Sequence, residues 1–536
     1  MRILSSLPAI ALISASFAFS FWLMWHTFSY SPQTNQIMIS AKAWSDFGEH
    51  IPLIRSFSFG SNLPPQHPLY PGEPIRYHYF FYFLVALLES WGVRLDWALN
   101  LMSATGLAFL LLLIYRFSYS LFSRRLAAIL SVLFFLFNGS FSWLDYLKIN
   151  NFALKSSIIN LKSLSHFPSF GPWNGSLITA FWNLNIYTNQ RHLAFSFALL
   201  LFLIYILYIP SRRFSLLTGF ILGSLLLLNQ AAFAIGLIFA GWFFLFRPRL
   251  RLPMAISIFG VLPWLYLYSF SSLVPPTLLK HIGFLTPDPP TTSALAKFWL
   301  YNIGLHLFLI PLGAVIAPRR SWILLPPLII IFLIPNYWQL SPDLINNHKF
   351  FNFFLIIGQM FTAHLLAFFL SSRNWFFKLP ALLLIFPLTL GGIVDFFPVK
   401  NDSLGYLNDV SSNPEAYFFA RYTSPNSIVL NSYWFYHSAS LAGRKVFNGY
   451  SYFTWSFGYN AGTREKLAVA IYAAPTRQAA CRLLHLYNIS YVELLDSPEG
   501  FIHPNWDLWK NQFTPIYRNE ASKASIYSVS KSCSGS

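Results

Sequence analysis

Long apolar runs separated by short basic turns fill the first 399 residues. A helix needs about 20 apolar residues to cross the hydrocarbon core of a bilayer. Runs of that order fall at 7–30, 98–120, 126–146, 191–209, 214–229, 231–247, 252–271, 296–317, 321–337, 350–371 and 379–397. The pattern predicts an α-helical polytopic membrane protein with about eleven spans. One further apolar stretch, Tyr77 to Trp91, is shorter and carries His78 and Glu89 near its ends, so it is expected to lie along the membrane surface. After Val399 the chain becomes mixed and rich in turn residues. SIVLN, KVFNGY, SYVELLD, TPIYRN and SIYSVS read as short strands. Helices are expected over 463–474, capped by Thr463, and over 475–487. The chain thus divides into a transmembrane domain at 1–399, with a first outer loop at 31–97, and a small α/β domain at 400–536.

Charge orients this arrangement. The chain is 55% hydrophobic and 10% charged, with a net charge of +18. Such a balance suggests nucleic acid only if the basic residues form a stripe, and here they sit in the turns between apolar runs. Arg2, Arg124–Arg125, Arg212–Arg213, the arginines at 247, 249 and 251, Arg319–Arg320 and Arg373/Lys378 all fall on one side if eleven spans are counted. The nine acids before residue 398 fall at or near the other side. The positive-inside rule then places the N-terminus inside and the C-terminal domain outside, and counting 77–91 as a span would invert every later turn. The first run is too long and aromatic for a secretory signal and has no A-x-A site after it, so it reads as a retained helix. The two cysteines, Cys481 and Cys533, can pair in an oxidising compartment, though the polar tail around Cys533 argues against it.

Three polar clusters on the outer side could carry chemistry. The loop from Trp44 to Arg76 holds Asp46, Glu49, His50, His67, Glu73 and Arg76, with His78 just beyond. On a helix, Asp46, Glu49 and His50 share one face. That grouping can take a proton from a hydroxyl or hold a divalent cation through Asp46 and Glu49, although a solvated helix turn accounts for it too. At 189–192 the chain reads Asn-Gln-Arg-His. Arg191 at a span entrance can fork onto a lipid-linked phosphate, with His192 beside it, or simply snorkel to headgroups. Upstream, Lys148, Lys155, Lys162 and His166 can attract anionic headgroups or simply solvate the loop, and solvation is the reading taken. The third cluster, at 341–354, brings Asp343, Asn346, Asn347, His348 and Lys349 to the membrane edge, where Lys349 fits a donor phosphate, a sugar hydroxyl or an ion pair with Asp343. No phosphate-binding P-loop, no dinucleotide-binding glycine pattern and no H-E-x-x-H occurs.

The stretch PPQHPLYPGEPIRYHY fits the pattern PP-x-x-P-x-x-x-G-x-x-x-x-Y-x-Y. It follows one span and an early outer-loop Asp, and leads into an aromatic helix ending in Trp-Gly. This order resembles the GT-C superfamily of polytopic membrane glycosyltransferases. Pro64 to Leu101 in particular is similar to a set of bacterial and archaeal membrane proteins, and LAGRKVFNGY and RLLHLYNISYVELL resemble the outer domains that end them. The resemblance implies transfer of a sugar from a polyprenyl-phosphate donor to a hydroxyl on a glycan, lipid or protein, at the extracytoplasmic face of the cell membrane. It implies Asp46 as base or metal ligand. No Asp-x-Asp or Asp-Glu pair accompanies Asp46. Two other readings compete. A transporter or flippase for a lipid-linked or anionic substrate would use polar residues within spans, such as Asn229, Gln230, His306 and His364. A non-catalytic assembly protein would need only the tail.

Overall fold

The structure is a computed structural model that describes residues 7–209, 215–272, 278–287 and 289–534. Arg2, Arg212, Arg213 and Asp288, used above for orientation, lie outside the described residues. Among the described residues, six helices are long and apolar enough to cross a membrane: Ile10–Thr27, Leu95–Phe122, Pro248–Tyr268, Arg319–Tyr337, Leu344–Leu370 and Trp375–Lys400. A bent pair, Thr292–Ile303 and His306–Ile316, turns by 77° and makes a seventh if counted as one span. The break is at Gly304, whose φ is +62° and which lies where any Cβ would collide with the Gly139 carbonyl. Four shorter apolar helices, Arg125–Leu136, Leu193–Tyr208, Ser215–Leu228 and Gln230–Phe246, occupy the remaining stretches read as spans.

Helix Leu95–Phe122 is the hub. Its apolar side chains pack on Leu7–Thr27, Arg125–Leu136 and Leu193–Tyr208. Basic turns gather at one end of this bundle: the Arg320 guanidinium donates to the carbonyls of Ser120 and Leu121 (3.0 and 3.1 Å). Nearby, Arg124 lies over the Phe368 ring and Arg247 donates to the Tyr208 carbonyl. The polar clusters around residues 46, 192 and 348 lie at the other end.

That second end is built jointly by the first outer loop and the tail. Strands Phe28–Tyr30 and Ile37–Ser40 form an antiparallel sheet completed by Leu404–Leu407 from beyond Val399. Buried Arg55 pairs with Glu89 (3.0 Å) and Asp409 (2.9 Å), binding the two segments by charge as well. The stretch expected on the membrane surface is a helix, Phe80–Ser90, but it is sandwiched between Trp44–Ser58 and Leu95–Phe122, with Phe81, Tyr82, Val85 and Glu89 buried. Its apolar residues surround the axis, so it satisfies them against protein on more than one side.

Each expected strand of the tail is present. They form one sheet in the order Tyr517–Asn519, Ala524–Ser528, Tyr491–Leu495, Ile428–Asn431, Lys445–Val446, in which the last three run parallel. The first tail helix described above is Ala461–Tyr472, and Asn460 rather than Thr463 caps it, accepting from the Thr463 amide (3.3 Å). The residue whose oxygen receives the amide is the cap; Thr463 only supplies the donor. Cys481 and Cys533 form a disulfide, and both are buried. The tail of Cys533 is polar in sequence, yet it folds back against helix Arg477–Leu486.

Candidate functional site

Helix Trp44–Ser58 presents the first cluster. Glu49 and His50 are buried, whereas Asp46 keeps part of its surface open. The helical face is shared as expected, but the three side chains diverge. His50 lays its ring against Tyr82 (centroids 4.8 Å) and feels the charge of Arg191. Glu49 Oε1 points instead at His67 Nε2, at 3.8 Å, too far for a hydrogen bond. His67 Nδ1 accepts from the Leu69 amide (3.3 Å), so its proton sits on the nitrogen that faces Glu49.

Burial governs these groups. Desolvation pushes the Asp46 carboxyl up to about 7, with the neighbouring Glu49 adding to the rise. Desolvation likewise lifts Glu49 to about 8. The imidazoles of His50 and His67 are held down to about 3, so both are neutral near pH 7.

Lys349, in the first turn of helix His348–Leu370, lies within the field of Glu49, Asp343 and Asp46. Its Nζ donates to Asn346 Oδ1 (3.1 Å). The same lysine lines a cavity of about 480 Å³. Its polar lining includes Arg76, His78, Gln230, Ser341, Asn346 and Lys349. Its apolar lining includes Ala231, Ala234, Leu237, Ile238, Ile334 and Phe350. Asn229, whose Oδ1 caps helix Gln230–Phe246 by accepting from the Ala232 amide (3.0 Å), and Gln230 line this cavity. Arg76 is anchored at the rim by Glu73 (2.8 Å) and by the Gly458 carbonyl.

His192 joins the site through long-range bonds. His78 Nε2 and His192 Nε2 are 2.7 Å apart, a separation that requires a proton between them, and His192 Nδ1 is 3.0 Å from the Tyr82 hydroxyl. His348 stacks on Phe181 and contacts Gln190 (3.3 Å) and Asn352 (3.2 Å). Asp343 caps the turn before Lys349 and accepts from Tyr452 of the tail (2.6 Å). Neither Tyr82 nor Tyr452 stands out in the sequence. Their partners are far along the chain, and only the Y-x-Y pattern hinted at two aromatic residues near His78.

Arg191 departs from the expected role. It is fully buried. Its guanidinium donates to the Thr188 carbonyl (2.8 Å), Asn100 Oδ1 (3.0 Å) and Thr27 Oγ1 (2.8 Å), and it lies over the Phe47 ring. Those partners occupy its donor fork and tie helices Leu7–Thr27 and Leu95–Phe122 to the outer loop, leaving it no free edge for a phosphate. The metal expectation meets a similar limit. Among the described residues, no group of three or more His, Cys, Asp or Glu side chains is gathered to hold a metal ion. Asp46 and Glu49 stand as a carboxylate pair within the field of Lys349.

Residues 2–182 match a family described as "Uncharacterized membrane protein (DUF2298)". No curated protein matches the chain. Among solved structures, the chain is similar to the oligosaccharyltransferase of Archaeoglobus fulgidus tethered with an acceptor peptide containing the NVT sequon. The TM-score is 0.51 and the identity 14%, over 92% of this chain and 70% of that one. The apo form of the same enzyme gives a TM-score of 0.50 at 12% identity, covering 90% and 69% of the two chains. The likeness extends through both the membrane bundle and the tail. It is a likeness of fold, and it agrees with the GT-C resemblance carried by the outer-loop motif.

Proposed function

We propose that the protein is a membrane glycosyltransferase that moves a sugar from a polyprenyl-phosphate donor to a hydroxyl acceptor at the outer face. The mixed lining of the cavity carries this reading. Its apolar residues suit an isoprenoid chain, and its polar residues, Lys349 among them, suit the phosphate. The start of helix Gln230–Phe246 adds a weak preference for negative charge there.

Lys349 would stabilise the charge that grows on the phosphate as the bond to the sugar breaks. Arg76 would guard the rim. Asp46, the more open of the two carboxylates, would take the acceptor proton. Its elevated affinity for protons is what a base working near neutrality requires. Burial keeps that affinity high, Glu49 adds to it as it ionises through about 8, and His67 lies beside Glu49 at 3.8 Å. His348, His192, His78 and Asp343 shape and support the site, and Arg191 holds the helices that frame it. The reading assigns charge compensation to Lys349, and Asp46 with Glu49 is the carboxylate pair that would hold a divalent cation beside a donor phosphate. The acceptor would approach beneath the tail, where Tyr452 meets Asp343; a peptide is one acceptor class, given the tethered peptide of the fold relative.

Outer-face placement rests on the basic turns at the opposite end of the bundle and on the disulfide in the tail, since disulfides persist in oxidising compartments. The test is transfer from polyprenyl-phosphate sugars by the purified protein in lipid. Asp46→Asn should remove turnover and leave donor binding in place, and Lys349→Ala should weaken donor binding. Full turnover by the first variant, or unchanged donor affinity in the second, would reject these roles.

A further inference from the structure

The segment between helices Arg125–Leu136 and Leu193–Tyr208 contains two eight-residue helices, Ser142–Ile149 and Leu154–Leu161. Asn151 and Phe152, both at positive φ, fold them into a hairpin. One side of the second helix is secured: Ser157 is buried and its carbonyl accepts from the Tyr146 hydroxyl. The other side is open and apolar. Ile149, Phe152, Leu154, Ile158 and Ile159 are each between 59% and 72% exposed. That exposure is wrong for a loop in water, which has no reason to present five large apolar side chains together.

Charge decides what covers them. Lys148, Lys155 and Lys162 are exposed on the same hairpin. On helix Leu154–Leu161 the last two fall inside the apolar sector rather than opposite it, by helical spacing. Lysines placed so can bury their stems with the apolar residues while their ammonium groups reach outward to phosphates. The one acid, Asp145, is already engaged by Ser169 and Lys148 (3.3 Å). The level of the hairpin is fixed as well. Asn401, just past the end of helix Leu390–Lys400, donates to the carbonyls of Lys162 and Leu164 (2.9 and 3.0 Å). His26, at the end of the first span, contacts the Lys400 carbonyl (2.6 Å). The hairpin therefore hangs where two spans leave the membrane, with Trp25 and Trp97 packed together at the same end.

We infer that the 142–164 hairpin lies in the outer interface of the bilayer, its apolar sector among the acyl chains and its lysines on anionic headgroups. This replaces the reading of these lysines as solvating groups, and it does not depend on the proposed transfer reaction.

Ile158→Cys in the full chain, with the native disulfide intact, can carry an environment-sensitive fluorophore. The labelled protein is reconstituted in phosphatidylcholine vesicles with and without phosphatidylglycerol, and Tyr422→Cys in the tail serves as a water-exposed control. The expected result is blue-shifted emission at position 158, and quenching by brominated acyl chains several-fold stronger than by aqueous iodide. Phosphatidylglycerol should deepen the lipid quenching, and Lys155→Glu with Lys162→Glu should abolish that increase. Iodide quenching equal to the tail control in both vesicles would overturn the inference. So would protection from both quenchers, which would indicate cover by protein, and so would lipid quenching that is indifferent to phosphatidylglycerol, which would remove the headgroup contact.

Discussion

At the scale of single residues, burial separates cations that the sequence could not rank. Arg191 and Lys349 both stand at span entrances on the acidic side, and spacing treats them alike. The structure gives Arg191 four hydrogen-bonding partners in the core, Thr188, Met24, Asn100 and Thr27, and gives Lys349 a cavity. Opposite phenotypes follow. Arg191→Ala should lower stability by on the order of 2–4 kcal/mol, because it strands buried polar partners, and should leave the donor KM of the surviving fraction near its original value. Lys349→Ala should do the reverse, and thermal melts set beside donor titrations separate the two. Glu49 offers a second test through its proton. Its folded value of about 8 lies above its ordinary 4.5, so the folded state binds the proton more tightly than the unfolded chain does. Stability from this group is full below 4.5 and is lost as pH rises through about 8. Glu49→Gln, which cannot ionise, should therefore melt higher than the parent above about pH 8 and match it at acid pH. Equal melting temperatures across that window would deny the buried carboxylate its cost.

Between elements, the contact that decides the site is the one between helix Trp44–Ser58 and the tail. The Tyr436 hydroxyl donates to the Trp44 carbonyl, and a Cβ on Gly48 would stand 2.7 Å from Phe435 Cδ1. Gly48 is thus the spot where the tail comes down on the helix that carries Asp46. Gly48→Ala should destabilise by roughly 1–3 kcal/mol through overpacking and lower turnover, while donor binding at Lys349 persists. Parallel loss of donor binding would mean that the tail shapes the cavity as well. Interactions of this kind explain what the sequence conceals. Strand and span periodicities are local, so the five tail strands and the apolar runs could be read directly. The three-stranded sheet that joins 28–40 to 404–407 could not, because short strands take their partners from tertiary packing. The same holds for His78 with His192, 114 residues apart. Helix Phe80–Ser90 was legible as a helix, but its sandwiching was not, since periodicity records which residues avoid water and not what covers them.

For the whole molecule, the two ends of the bundle differ in chemistry, and the proposed orientation rests on that difference. Arg124, Arg247 and Arg320 meet at one end. The carboxylates, the cavity and the disulfide-bonded tail lie at the other. By the positive-inside rule this asymmetry favours arginine turns in the cytoplasm, the orientation proposed above. The disulfide closes a separation of 52 residues, and on a chain-entropy account such a loop is worth about 4 kcal/mol. A tail in a reducing cytoplasm would forgo that contribution. On intact cells, then, a membrane-impermeant thiol reagent should label Ser424→Cys in the tail and spare Arg373→Cys in a basic turn. The Cys481→Ser, Cys533→Ser double variant should lose several degrees of thermal stability in the tail, and a reductant should impose the same loss on the parent while leaving the double variant unmoved. Labelling of position 373 from outside would invert the molecule, and with it the face on which any lipid-linked donor could be used. A tail indifferent to reductant would leave orientation to rest on the arginine turns alone.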